Sequence, residues 1–389
     1  MKRLFLYLIS LLTISPAMAD FTEAGYYRLK NVYTQRYVTV IDDKCEYVDF
    51  VTGKIDGHSL FTQQDFSLIC HDPASIIYAA HISGSHYDVA AQGVSLKNMM
   101  NYNIFLGENG KDGSQTIYRI YSTEKGVTKY LGDAGSPSKP TGGIIFGTPV
   151  ASSVSSQKRC DWLILPVSAS TADYFGVLPT VSAGGGNWTS LYCSFPISVY
   201  SKGVEFYYPC AKSSTGYVEM KKLEGVVPEG IPLVVKCGSV DPASNRLNVG
   251  GTSTVKAPGN LLKGQYFNCY ANKGQYVNRI PNDKNTMRIL GKCSDGSIGF
   301  ILDETLDYIP ANSAYMIVEP WYPKELKCVF SHEEFEAKVV KVIADEEPEG
   351  PRDVYSLTGM KIMSQASPEE IAKLPSGFYI VGGKKTLLK

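Results

Sequence analysis

Five histidines, His58, His71, His81, His86 and His332, are the only imidazoles in this 389-residue chain, and they leave little room for general-base chemistry. No H-E-x-x-H, G-x-S-x-G or P-loop spacing occurs, so zinc-protease, serine-hydrolase and phosphate-cradling readings have no motif behind them, and no cofactor is expected. Nine cysteines beside five histidines formally permit a cysteine–histidine dyad. Several of those cysteines sit inside strand-like apolar runs, where a thiol is packed rather than reactive. His81 and His86 flank a Ser83-Gly84-Ser85 turn and would bring two imidazoles across a hairpin. Without a third ligand the pair reads as two exposed hairpin residues, and no metal is expected. The adjacent carboxylates Asp42-Asp43 and Asp303-Glu304 point in different directions, so neither makes an acid/base pair of the glycosidase kind.

Repeated residues carry more than isolated ones. Tyr37 is followed by Asp42 and Asp43, Tyr87 by Asp88, and Tyr130 by Asp133. A carboxylate that accepts hydrogen bonds from hydroxyl groups, next to an aromatic face that stacks on a ring, is the chemistry of sugar binding. These seven residues are the candidate carbohydrate site. The competing reading makes the tyrosines core residues and the aspartates turn residues held by local hydrogen bonds.

Such residues need a framework, and the first 170 positions suggest a threefold one. Phe66, Ile117 and Trp162 mark three short apolar segments spaced by 51 and 45 residues, and Tyr37, Tyr87 and Tyr130 step by 50 and 43. Two landmarks with one period predict three copies of a β-unit. Gly (36), Pro (21) and Tyr (26) are abundant and spread in turn-like clusters, which suits many short strands.

Lys2 and Arg3, an apolar run over residues 4–14, and Ala17-Met18-Ala19 read as a cleaved secretory signal over residues 1–19. The run is short of the ~20 residues that span a bilayer, so no membrane span is expected in the mature chain. Removing Lys2 and Arg3 leaves 36 Lys+Arg against 38 Asp+Glu, a balance that gives no basic face for nucleic acid.

None of the nine cysteines forms a C-x-x-C pair. An exported compartment permits disulfides, and an odd count leaves one thiol free or joins two chains in a covalent dimer. One pairing follows from register. Odd positions are apolar over Cys193, Phe195, Ile197 and Val199, even ones over Val204, Phe206, Tyr208 and Cys210, with Ser201-Lys202-Gly203 as a turn. A hairpin burying both sets on one face makes Cys193 and Cys210 cross-strand neighbours, placed for a disulfide or for side-by-side packing.

The expected organisation is a three-copy β-domain over residues 20–167, a linker over 168–186 containing Gly184-Gly185-Gly186, and an antiparallel β-sandwich over 187–330. A second linker follows over 331–350, where Ser331 and Glu334 have capping-box spacing, and a small β-module fills 351–389. Within that module Ser367-Pro368-Glu369-Glu370 predicts a helix start. The fold class is all-β.

Gln64 and Gln115, each placed two residues ahead of an apolar landmark, resemble the Q-x-W signature, and the first domain is similar to the β-trefoil of ricin-type lectins. Trp188-Thr189-Ser190-Leu191-Tyr192, Val227-Pro228-Glu229-Gly230-Ile231-Pro232-Leu233 and Ile309-Pro310-Ala311-Asn312-Ser313-Ala314-Tyr315 resemble a β-domain of exported Bacteroidales proteins of the Bacteroides and Prevotella type. Val354-Tyr355-Ser356-Leu357-Thr358-Gly359 with Gly377-Phe378-Tyr379-Ile380-Val381-Gly382-Gly383 resembles their C-terminal module, similar to type IX secretion tails. The resemblance implies an exported, non-enzymatic protein that binds a glycan or a surface protein through the trefoil, at the cell surface or in the medium. A periplasmic location stays open. A secreted hydrolase acting on carbohydrate or peptide and a structural surface component stand as alternatives.

Overall fold

The computed structural model describes residues 24–40, 60–63, 66–95, 104–137, 144–149, 153–267, 280–345 and 350–388. The proposed signal over residues 1–19 lies outside them. The described chain is predominantly β, in four sheets.

Alternation of apolar and polar residues produces the first eleven strands: β1 (Gly25–Asn31), β2 (Tyr37–Val40), β3 (Leu60–Gln63), β4 (Ile77–Ser83), β5 (His86–Ala91), β6 (Val94–Ser95), β7 (Ile104–Asp112), β8 (Gln115–Glu124), β9 (Val127–Asp133), β10 (Ile144–Gly147) and β11 (Trp162–Pro166). Six of them close on themselves. Antiparallel pairings run from β1 to β4, β5, β7, β8 and β11, and β11 returns to β1. Inside the ring pack Leu29, Ile77, Val89, Leu106, Ile120 and the fully buried Trp162, every second residue of each strand. The indole N–H of Trp162 donates to the Leu131 carbonyl at 2.9 Å, which satisfies its one polar atom.

The pairings β1–β4, β5–β7 and β8–β11 repeat, but the sequence landmarks do not mark equivalent places in them. Ile117 lies in β8 and Trp162 in β11, and these strands pair directly, Trp162 opposite Tyr118. Tyr87 is on a ring strand, whereas Tyr37 and Tyr130 are on β2 and β9, which join hairpins outside the ring. The segment around Phe66 is a helical turn, Phe66–Ile69, and not the expected strand. Its backbone closes Cys70 N–H onto the Phe66 carbonyl, which turns Phe66 toward Tyr37 and Tyr174, ring centroids 5.5 and 5.7 Å away.

The middle of the chain sets a three-stranded sheet, Phe175–Gly176, Arg246–Val249 and Ile197–Val199, against part of a ten-stranded one. Phe175, Phe195, Phe206, Tyr208, Val235 and Leu247 fill the space between. Residues 168–186 are therefore not a linker. They contribute the strands Phe175–Gly176 and Val181–Ala183, because the apolar Phe175 is fully buried in this core. A side chain at Gly176 would fall 2.2 Å from the Pro242 carbonyl oxygen, so only glycine permits that approach.

The two bodies share contacts. Phe267 is buried in the ring's core, and Gln92 and Asn312 exchange two amide hydrogen bonds of 2.9 Å. The second expected linker carries a 14-residue helix, His332–Asp345, started by Ser331 Oγ accepting from Glu334 N–H at 3.2 Å. The C-terminal sheet, ordered Lys361–Ala366, Arg352–Ser356, Gly377–Val381 and Lys384–Leu388, has its own small core of Val354, Ala366, Ile371 and Val381. Its short helix Pro368–Ile371 carries a complete capping box between Ser367 and Glu370. Among the described residues no helix is long and apolar enough to cross a membrane.

Candidate functional site

The seven sequence candidates do not converge. Asp42 and Asp43 lie outside the described residues. Asp88 is exposed on β5, and Tyr87 is half-buried against His81, ring centroids 5.2 Å apart. Tyr130 lies between the Tyr121 ring and the Arg119 guanidinium, 5.8 Å from each. Asp133 is fully buried and committed to the fold. It pairs with Arg36, whose Nε donates to Oδ2 at 2.9 Å; Gly135 N–H donates to Oδ1 at 2.8 Å, and Thr34 Oγ1 donates to Oδ2. Its acceptor positions are taken by protein, so it is unavailable to a sugar and is withdrawn as a binding residue.

Tyr37 gains a different acidic neighbour. Its hydroxyl lies 3.4 Å from Asp173 Oδ1, at the rim of a recess of about 250 Å³ bounded by Lys30, Tyr37, Phe66, Gln115, Leu165 and Asp173. Besides β2 with Tyr37 and β11 with Leu165, four further segments build it. β1 and β8 supply Lys30 and Gln115, the helical turn supplies Phe66, and the chain entering the second body supplies Asp173.

Buried Arg28 holds those elements in place. Its Nε donates to Ser75 Oγ at 3.0 Å, Nη1 to the Tyr174 carbonyl at 2.8 Å and Nη2 to the Ile69 carbonyl at 3.3 Å, and the guanidinium lies 5.5 Å from the Phe66 ring. Burial pulls its pKa down to about 10, and the nearby Asp173 charge opposes that shift. Burial likewise pushes the Asp173 carboxyl up, against the pull of Arg28, Lys30 and the Tyr37 hydroxyl. The Tyr37 phenol is pushed up by burial first and by Asp173 second. The ammonium of Lys30 is 5.4 Å from the Tyr37 ring.

The recess is thus lined by a carboxylate acceptor, an ammonium donor, an amide that does both, and two aromatic rings. Asp173 went unnoticed in the sequence because it lay in a stretch read as linker. The signal was the run Asp173-Tyr174-Phe175, a charge followed by two aromatics.

The described cysteines and histidines are placed as follows. The seven described cysteines are free thiols, buried or half-buried. Burial pushes Cys160 and Cys237 up to about 12, which suppresses the thiolate at neutral pH. Cys193 and Cys210 form no disulfide, and the hairpin expected to join them is absent. Ile197–Val199 pairs with Arg246–Val249, while Glu205–Ser213 pairs with strands of the other sheet. Both cysteines do border one core, Cys193 from the loop between Leu191 and Ile197 and Cys210 from the strand Glu205–Ser213. His81 faces Tyr87 and His86 faces Ser83 across their hairpin, and among the described residues no cluster of three His, Cys, Asp or Glu could hold a metal.

A larger cavity, about 550 Å³, lies between residues 176–191 and 289–314, with His71 and Pro73 at its ring-side edge. Its lining is mainly aliphatic. The Asp303 carboxylate there is engaged by Thr305, whose hydroxyl donates at 2.6 Å and holds the carboxyl below its ordinary range. No family model, curated protein or solved structure matches the chain.

Proposed function

We propose that this is an exported, non-enzymatic glycan-binding protein whose ring domain is a β-trefoil and whose recess at Tyr37 and Asp173 takes a sugar. The reading rests on one observation, the joining of a partly desolvated carboxylate, an ammonium and two aromatic rings in a recess of about 250 Å³. Pockets of this kind gain orientation from a few polar groups and affinity from the rings. A small volume suits one sugar unit better than a protein segment, which favours glycan over surface protein as partner. The middle body then spaces the ring from a C-terminal module with its own core, in keeping with sorting or attachment at the cell surface or in the medium.

The test is glycan-array binding by residues 20–389, because Phe267 fills the ring's core and an isolated ring would lack it. A confined set of bound glycans, with affinity falling on the order of tenfold in Asp173→Asn, supports the reading, since a charge-assisted hydrogen bond is worth about 1.5–3 kcal/mol. Binding left intact by Asp173→Asn and Tyr37→Ala, or none at high concentration, overturns it.

A further inference from the structure

A row of aromatic residues lies on the outer wall of the ring. His86 on β5, Phe105 on β7, Tyr121 on β8 and Tyr130 on β9 are successive cross-strand partners in one row. Their ring centroids are 5.1, 5.7 and 5.8 Å apart, and their planes differ by 33°, 25° and 45°. All four are half-buried, with the alternate residues Ile104, Leu106, Ile120 and Leu131 turned inward to the core. Gly107 is two residues beyond Phe105 on the same face, and a Cβ there would come within 3.3 Å of the Tyr121 ring, so the absence of a side chain makes room for that ring.

Cross-strand pairs stabilise a sheet by only ~0.2–1 kcal/mol each, and water-facing strand positions normally carry polar residues. Four consecutive aromatic partners on an outer face are a continuous apolar surface rather than a scatter of single residues.

Charge selects the occupant. Aromatic rings are electron-rich on their faces, which complements the positively polarised C–H face of a pyranose. Hydroxyls stand at the edge, with Ser85 Oγ and Tyr121 Oη 3.5 Å apart. Bases also stack on aromatic rows, but nucleic acid demands cations for its phosphates. Among the described residues the guanidinium beside the row is that of Arg119, 5.8 Å from the Tyr130 ring, and it is already held by Asp161 at 2.9 Å and Gln157 at 3.2 Å. A neutral polyhydroxylated chain suits the rings and calls on no cation beyond Arg119, which the fold already holds.

We propose that this row is an extended glycan-binding platform that lays several linked, uncharged sugars across β5, β7, β8 and β9. The proposal rests on the glycan-binding reading above and adds the substrate class, a neutral chain read over several units. β8 carries both surfaces: Gln115 at the recess and Tyr121 on the row lie six residues apart, about 20 Å along the strand. The platform is therefore separate from the recess and adds affinity only for chains.

The experiment measures binding of residues 20–389 to neutral gluco- and xylo-oligosaccharides, from single sugars to hexasaccharides, and to their polymers in affinity gels. Phe105→Leu and Tyr121→Leu remove the ring faces while keeping apolar side chains on the sheet, and circular dichroism checks their folding. Affinity should rise with chain length, and each leucine variant should lose about tenfold for hexasaccharides with no change for a single sugar. Affinity independent of chain length, or unaltered in the double leucine variant, overturns the platform. Hexasaccharide binding that needs the row but ignores Asp173→Asn keeps the platform and overturns the recess, and binding of no glycan overturns both.

Discussion

Arg36 and Asp133 stand 97 residues apart in the chain and form an ion pair with side-chain exposures of 2% and 0%. The pair ties the turn after β1 to the end of β9, so one salt bridge fixes a hairpin to the ring. Removing one partner strands the other charge in a site without water. Asp133→Ala should therefore cost about 3–5 kcal/mol in urea unfolding. Arg36→Met combined with Asp133→Leu should recover a substantial part of that loss, because an apolar pair of similar volume avoids the desolvation cost of both ions. A loss under about 1 kcal/mol for Asp133→Ala would show that water reaches the pair.

Phe267 comes from the second body and belongs to the ring's buried core, the cluster that also holds Leu29 and Trp162. Truncating a buried phenylalanine costs about 3–5 kcal/mol, and here the cost falls on the ring. Phe267→Ala should raise amide exchange in β5 and β8 while leaving the strands Leu233–Cys237 and Ile298–Ile301 protected. Equal exchange in wild type and variant would show that the ring holds its core without the plug.

These two couplings explain what the sequence made legible and what it did not. Alternation reveals strands because burial on one face has a period of two, and the helix start at Ser367 is readable because its capping box is local. Cys193 and Cys210 show the limit. Alternation correctly puts Phe195, Ile197, Phe206 and Tyr208 around one core, yet a shared core is equally well built from two facing sheets as from one hairpin. The site fails to appear for a related reason. Tyr37 is visible as an aromatic residue, but Asp173 reaches it only through Arg28, which gathers carbonyls from residues 69 and 174, and no local pattern encodes that convergence. The unequal spacing of the ring units, which begin at Gly25, His86 and Gln115, likewise hides the repeat from a fixed period.

The thiols give a prediction that separates packing from cross-linking. Burial pushes Cys160 and Cys237 up to about 12 and also raises Cys70, Cys193, Cys210, Cys293 and Cys328. Native protein at pH 8 should label these seven with iodoacetamide far more slowly than urea-unfolded protein does. Peptide mapping without reductant should find no Cys193–Cys210 bridge. A bridged peptide from freshly purified protein would contradict the free thiols of this structure.

Acidification should release the recess's ligand before it harms the fold. Burial holds the Asp173 carboxyl above the ordinary value of 3.8, so it takes up its proton earlier than a solvated aspartate as pH falls. The protonated form loses the charge-assisted acceptor, and glycan affinity should drop across that interval. Stability moves in the opposite direction for this group. The folded state binds the proton more tightly than the unfolded chain, so Asp173 costs stability above its raised pKa, and protonation relieves that cost. Asp173→Asn should accordingly abolish this step in the affinity profile and leave urea stability at pH 7 unchanged or slightly higher. A variant that keeps the wild-type acid step would move the titration to another group and leave Asp173 without a part in binding.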